Sequence, residues 1–259
     1  MTLRDDIRER TRIITDTEAE VAAMLREALA RIQVILAGQP SDSARWQMSA
    51  LEAEIRRVLE ELGAQAGTLA AVGHTTAAAA GAAMVEGAMA RAGAAIVVPH
   101  ISTRQLMAMR AFTTSKIAGV TLGAVDRINT QLGLTLIGGQ TPFEAAQQIT
   151  KILGEETVDR AVRIVRTELG RAYSTASQEA MAVAALRVPK LKKKWVKSGK
   201  TFPRLHHQAI HGQTQDWDKP YRLGNGRTMM YPHDPAAPAS ETINCGCMSV
   251  PVVPKRAAA

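Results

Sequence analysis

The sequence predicts a mainly α protein, with an elongated helical N-terminal region followed by a small α+β, loop-rich C-terminal domain. Three observations lead there. Apolar residues recur at helical spacing through the first 186 positions, with hardly any strand-like run. Five of the nine aromatic residues (Trp195, Phe202, Trp217, Tyr221 and Tyr231) lie after position 190, so the large side chains that dominate core burial sit at the back. Beyond Pro189, Pro, Gly, Asn and His become frequent and apolar runs shorten.

Each element has its own signal. Val21, Leu25, Leu29, Ile32 and Leu36 form a helical stripe that Gly38 and Pro40 stop. Ser41 and Ser43 can cap a second helix, with Leu51, Ile55, Val58 and Leu62 on one face before Gly63. The Ala/Gly-rich run 64–95 reads as a third helix, weakened by its glycines and ended by Pro99. Ser102 with Gln105 resembles a capping box, opening a helix that reaches Ile137 before Gly138-Gly139. Thr141-Pro142-Phe143-Glu144 is a strong helix start, and Gly154 closes that short helix. Glu155 to about Leu186 reads as one more helix. Beyond it the best strand candidates are 227–231 and 248–253, with Asn225-Gly226 a hairpin turn. The expected organisation is a helical body, 1–154, and a C-terminal domain, 155–259, containing a basic linker, 187–204.

The net charge of +8 is local. Segment 187–204 holds Arg187, Lys190, Lys192, Lys193, Lys194, Lys197, Lys200 and Arg204 and no acid, while the rest of the chain balances 24 basic against 24 acidic residues. Lys190, Lys192, Lys193, Lys194, Lys197, Lys200 and Arg204 are therefore the expected nucleic-acid contacts, and binding should be non-specific. Trp195 within this run could stack on bases or anchor the segment. Cys245 and Cys247 are too close in sequence for an unstrained mutual disulfide. The charged start MTLRDDIRER lacks the apolar core of a signal peptide, and the Ala-rich run is a poor membrane span, so no membrane association is expected.

Reactive side chains concentrate at the back. His207 and His211 are four residues apart, and with Cys245 and Cys247 they could complete a tetrahedral zinc site. Cys-x-Cys is tighter than the usual zinc spacing, and the other reading is a structural polar cluster of His207, His211, Asp234, Asn244, Cys245 and Cys247 holding a loop-rich domain together. In that reading no cofactor is needed. A third arrangement is His206-His207, Asn225 and His233, in the order used by His-Asn-His nucleases. Only Asp216, Asp218, Asp234 and Glu241 supply carboxylates after position 187.

An ordered set of motifs resembles a known family. Arg166-Thr167-Glu168 is followed by Lys193-Lys194-Trp195, Arg204-Leu205-His206-His207, Gly212-Gln213, Tyr231-Pro232-His233-Asp234 and finally Asn244-Cys245-Gly246-Cys247. Together, over about 155–250, they resemble the C-terminal domain of the phage Mu F-like minor head (head morphogenesis) proteins. Two positions depart from the family pattern: Gly246 stands where Arg is usual, and His211 where Asp is often found before Gly212. The resemblance implies a structural, non-enzymatic minor component of a tailed-phage head, acting in head morphogenesis and in DNA packaging or delivery. It further implies docking near the portal, with the N-terminal body on portal protein or major coat protein. It implies contact with packaged double-stranded DNA, several copies per virion, and a place in the head or neck after assembly in the host cytoplasm. The alternative is a metal-dependent His-Asn-His-type nuclease or toxin-like enzyme.

Overall fold

The structure, a computed structural model, describes residues 2–40, 46–98 and 103–254. It is 67% helical, with long helices first and a small region of short strands and helices after them. The helices are α1 (Leu3–Ala37), α2 (Met48–Arg91), α3 (Thr103–Leu136), α4 (Pro142–Leu153) and α5 (Glu155–Ala185). The short elements are β1 (Lys192–Val196), α6 (Leu205–Gln208), β2 (Thr214–Asp216), β3 (Tyr221–Arg222), β4 (Thr228–Met229), α7 (Ala239–Thr242) and β5 (Met248–Val252).

Two helices run further than their sequence signals. α1 begins at Leu3, well before the stripe at Val21, and carries Asp5 and Asp6 in its first turn, where the helix dipole favours acids. α2 passes through Gly63 without a break. The reason is close packing: a Cβ on Gly63 would lie 3.1 Å from Thr121 Oγ1, and one on Gly67 would lie 2.7 Å from Thr114 Cγ2. These glycines admit α3 rather than stopping α2. The expected cap at Ser41 and Ser43, the stop at Pro99 and the Ser102 end of a capping box lie outside the described residues. The box at α4 is present in full: Thr141 Oγ1 accepts from the Glu144 N–H at 3.2 Å, and the Glu144 carboxylate accepts from the Thr141 N–H at 2.8 Å. Among the described residues, α2 is the one helix long and apolar enough to cross a membrane by length and composition; within the protein its Ala66, Ala70, Ala77, Met84 and Met89 are buried.

The chain forms two compact units, neither a single run of sequence. One comprises 16–71 and 110–165, with a core of aliphatic side chains such as Leu25, Ile32, Ile55, Leu59, Ile117, Ile128, Leu132 and Ile149. The other comprises 1–15, 72–109 and 166–259, and holds every strand found among the described residues. This division does not follow a sequential split at 154.

Within the second unit, β1 is the central strand of a three-stranded antiparallel sheet of order β2-β1-β5. Segment 187–204 is therefore not a solvated linker. Strand alternation sends Lys193 and Trp195 inward, both fully buried, and leaves Lys192 and Lys194 on the outer face. β3 and β4 form the hairpin expected at Asn225-Gly226, with Gly226 at φ +82° and Leu223 N–H donating to Arg227 O at 2.7 Å. Trp195, Ile210, Tyr221, Leu223, Met229, Cys245 and Cys247 make one apolar cluster.

Candidate functional site

Three short segments converge beside that cluster. α6 supplies His206 and His207, α7 supplies Glu241, and the loop leading into β5 supplies Cys245 and Cys247. The loop is shaped from α5. Arg166 Nη1 donates to Asn244 Oδ1 at 3.1 Å, and the Asn244 N–H donates to Thr167 Oγ1 at 2.9 Å. Lys200 Nζ donates to the same Asn244 Oδ1 at 2.7 Å. Held this way, Asn244 takes a left-handed backbone (φ +56°), and the chain turns so that both thiols face inward.

His207 is the hub. Its Nδ1 lies 3.6 Å from Cys245 Sγ and 3.8 Å from Cys247 Sγ, and its Nε2 lies 3.0 Å from Glu241 Oε2. His206 Nε2 meets the same carboxylate oxygen at 2.6 Å, while Asn225 Nδ2 and Arg227 Nη1 donate to Oε1, each at 3.1 Å. Burial pushes the Glu241 carboxyl up, but hydrogen bonds from His206, Asn225 and His207 and the charge of His206 outweigh it and hold the group down at about 2. An ionised Glu241 accepts only, so His207 Nε2 carries a proton and the ring turns its Nδ1 to the sulfurs. Trp195 packs edge-on against the His207 ring, at 5.3 Å between centroids and 82° between planes, and against Tyr221 at 5.1 Å. Both are fully buried, so Trp195 anchors the site and is closed to base stacking.

The two thiols are a coupled buried pair. A hydrogen bond from Cys247 lowers the Cys245 thiol well below its ordinary range and raises Cys247. Arg10, from the first turns of α1, is buried nearby and donates from Nη1 to Gly246 O at 3.1 Å, with its guanidinium over the Tyr173 ring. At Gly246 an added Cβ would come within 2.7 Å of Ser198 Cβ, so the glycine that departs from the family pattern sits where a side chain has no room without local movement.

The other sequence-derived candidates take no part in the contacts between His207 and the two thiols. His211 is exposed and its Nδ1 accepts from the Lys197 N–H at 3.2 Å, away from the thiols. Asp234 organises its own loop, accepting from the Met230 N–H at 2.8 Å and the Ala236 N–H at 2.9 Å. Gly212, at φ +85°, donates its N–H to Trp195 O at 2.8 Å and closes the β1–β2 connection. Glu168 pairs with Arg171 at 2.6 Å. His233, third member of the His-Asn-His order, is fully buried against Gly170 and hydrogen-bonds to none of His206, His207 and Asn225. Burial pushes its pKa down to about 4, so its ring is neutral.

The basic run divides in two. Lys193 Nζ is turned inward and donates to Met230 O at 2.6 Å, Lys192 pairs with Asp216 at 3.0 Å, and Arg204 donates to Ile243 O at 2.7 Å. Arg187, Lys190 and Lys197 are exposed and Lys194 is half-buried, and none makes a side-chain ion pair among the described residues. Sequence reasoning missed Glu241 and Arg10. Glu241 showed only as one of four acids in the C-terminal region, and nothing in the sequence marks Arg10.

Among curated proteins, the chain is similar to an NAD(+)–arginine ADP-ribosyltransferase EFV of Enterococcus faecalis (strain ATCC 700802 / V583), 29% identical over 131 residues, covering 49% of this chain and 26% of that protein. It is also similar to the uncharacterized protein YqbB of Bacillus subtilis (strain 168), 35% identical over 99 residues, covering 37% of this chain and 31% of that protein. The chain thus spans about a quarter to a third of the length of these relatives. No solved structure matches it. Residues 126–250, which include α5 and β1 to β4 and end within β5, match the family described as Phage Mu protein F like protein.

Proposed function

We propose that this chain is a minor structural protein of a tailed-phage head, acting in head morphogenesis and in DNA packaging or delivery near the portal. The observation that carries the reading is the family match over 126–250, whose motif residues here hold a domain together. Arg166 and Thr167 clamp the Asn244 loop, Trp195 and Gly212 set the sheet, and Asp234 shapes a turn. Both thiols of the domain are buried, unlike the exposed nucleophile of a hydrolase. The helical body, 1–154, docks on portal or coat protein, and the cations Arg187, Lys190, Lys194 and Lys197 meet packaged double-stranded DNA without sequence preference. The protein resides in the virion after assembly in the host cytoplasm, in a few copies per particle.

The test is composition and assembly of heads. In a phage carrying this gene, purified heads should contain the chain at far below the coat protein's abundance, and its deletion should lower the yield of infectious, DNA-filled particles. Heads free of the chain, or particle yield unchanged by deletion, would overturn the reading.

A further inference from the structure

We propose that His207, Cys245 and Cys247 form a zinc site, with Glu241 as the carboxylate that orients the histidine. This goes beyond the head role and stands or fails separately from it.

Geometry carries the argument. With Zn–S near 2.3 Å and Zn–N about 2.0–2.1 Å, tetrahedral angles separate a ligating sulfur from a ligating nitrogen by about 3.5–3.6 Å. The observed Nδ1-to-Sγ distances are 3.6 Å and 3.8 Å, and the three ligand atoms all lie within 4.8 Å of one another. One ion therefore fits between them with side-chain adjustments of a few tenths of an ångström. All three residues are buried.

The second observation is independent of the thiols. Metal-bound histidines usually donate their other ring N–H to a carboxylate, which fixes tautomer and orientation. His207 does this: Nε2 faces Glu241 Oε2 at 3.0 Å, and Glu241 is itself held by Asn225 and Arg227. The Nδ1 lone pair is thereby committed to the side where the sulfurs lie. Thiolate and imidazole together suit zinc rather than calcium or magnesium, which prefer oxygen. Binding forms two Zn–S bonds and one Zn–N bond, and each thiol still protonated gives its proton to solvent. The fourth ligand is water, reached through a cavity of about 280 Å³ that the three residues border with Ser198, Lys200 and Arg204. His211, the second imidazole expected from the sequence, has no part in the site.

A cysteine–histidine–carboxylate relay uses the same atoms with one thiol as nucleophile. The near-equal distances of both sulfurs from Nδ1 favour the metal, since a nucleophile needs only one.

The experiment uses the full chain, purified reduced and titrated with zinc and with cobalt(II). The expected result is one zinc per chain and, with cobalt, a thiolate-to-metal charge-transfer band. Cys245→Ser and Cys247→Ser should each weaken that band and abolish one-to-one uptake. Glu241→Gln should keep the band but bind about 10–100-fold more weakly. His211→Ala should change nothing. If the serine variants fail to fold, the wild-type cobalt spectrum and Glu241→Gln still decide. No uptake by the reduced wild type overturns the proposal. So does alkylation of one thiol by iodoacetamide at an unchanged rate with zinc present, which would assign the relay instead.

Discussion

Replacing Lys190, Lys194 and Lys197 together with Ala tests how many of the eight clustered cations reach DNA. Four of the eight are engaged by partners within the protein. Lys193 is buried on Met230 O, Lys192 is neutralised by Asp216, Lys200 is bound to Asn244, and Arg204 to Ile243 O. That leaves Arg187, Lys190, Lys194 and Lys197. If each meets one phosphate, log Kobs against log salt has a slope of about −3.6, whereas eight contacts would give about −7. Between 50 and 200 mM salt the first predicts a loss of about 150-fold in affinity and the second about 20,000-fold. The triple variant should retain about one contact and lose only about 3–4-fold over the same range. Fluorescence anisotropy of a labelled duplex at several salt concentrations measures all of this, with Lys193→Met as a control that leaves the slope alone. A wild-type slope near −7 would mean that Lys192, Lys193, Lys200 and Arg204 exchange their protein partners for phosphate. A slope unchanged in the triple variant would mean that DNA meets another face, or that binding is not electrostatic.

Gly81→Ala should destabilise the protein by at least about 1–3 kcal/mol, because its Cβ would lie 2.2 Å from the Tyr173 carbonyl oxygen, a backbone atom; the same change at Gly119 meets nothing within 4 Å and should stabilise by roughly 0.5–1 kcal/mol. Shifts of the urea midpoint in opposite directions would bear this out, and shifts of the same sign would refute it. Thr141→Ala removes the cap of α4 and should cost about 1 kcal/mol by the same assay. Burial pushes Lys193 down to about 8 from an ordinary 10.5, against the opposing charges of Asp218 and Asp234. Between these values the unfolded chain binds more protons, so this group makes stability rise with pH, by up to about 3 kcal/mol; Lys193→Met should lack the rise, and an identical pH profile in both proteins would show the ammonium to be solvated.

How much of this was legible depended on whether a residue's job showed in local periodicity. The stripes at Val21–Leu36 and Leu51–Leu62, the Thr141 capping box and the Asn225-Gly226 turn all act within a few residues of themselves, and each appears where it was expected. The central strand did not. Lys192, Lys193 and Lys194 alternate between faces, but three identical charges cannot display an alternation, and a buried lysine is rare enough to hide one. Gly63 misled for a related reason. A glycine that ends a helix and one that admits a neighbour look the same in sequence, and only the position of Thr121 separates them.

The histidine–thiol cluster was half legible for a deeper reason. The residue types His207, Cys245 and Cys247 stood out, but their arrangement depends on partners that carry no signature: Glu241 on α7, Arg10 on α1, and Arg166 with Thr167 on α5. These partners are also what the small sheet requires. Three short strands and a seven-residue apolar cluster offer little buried area of their own, so the fold leans on a helix and on fully paired buried polar groups. The family match begins at 126 and takes in α5 rather than starting where the composition changes, near 187. A boundary drawn from composition separates the Asn244 loop from Arg166 and Thr167, which set its backbone. Composition records where chain character changes, whereas the domain extends to wherever its hydrogen bonds are completed.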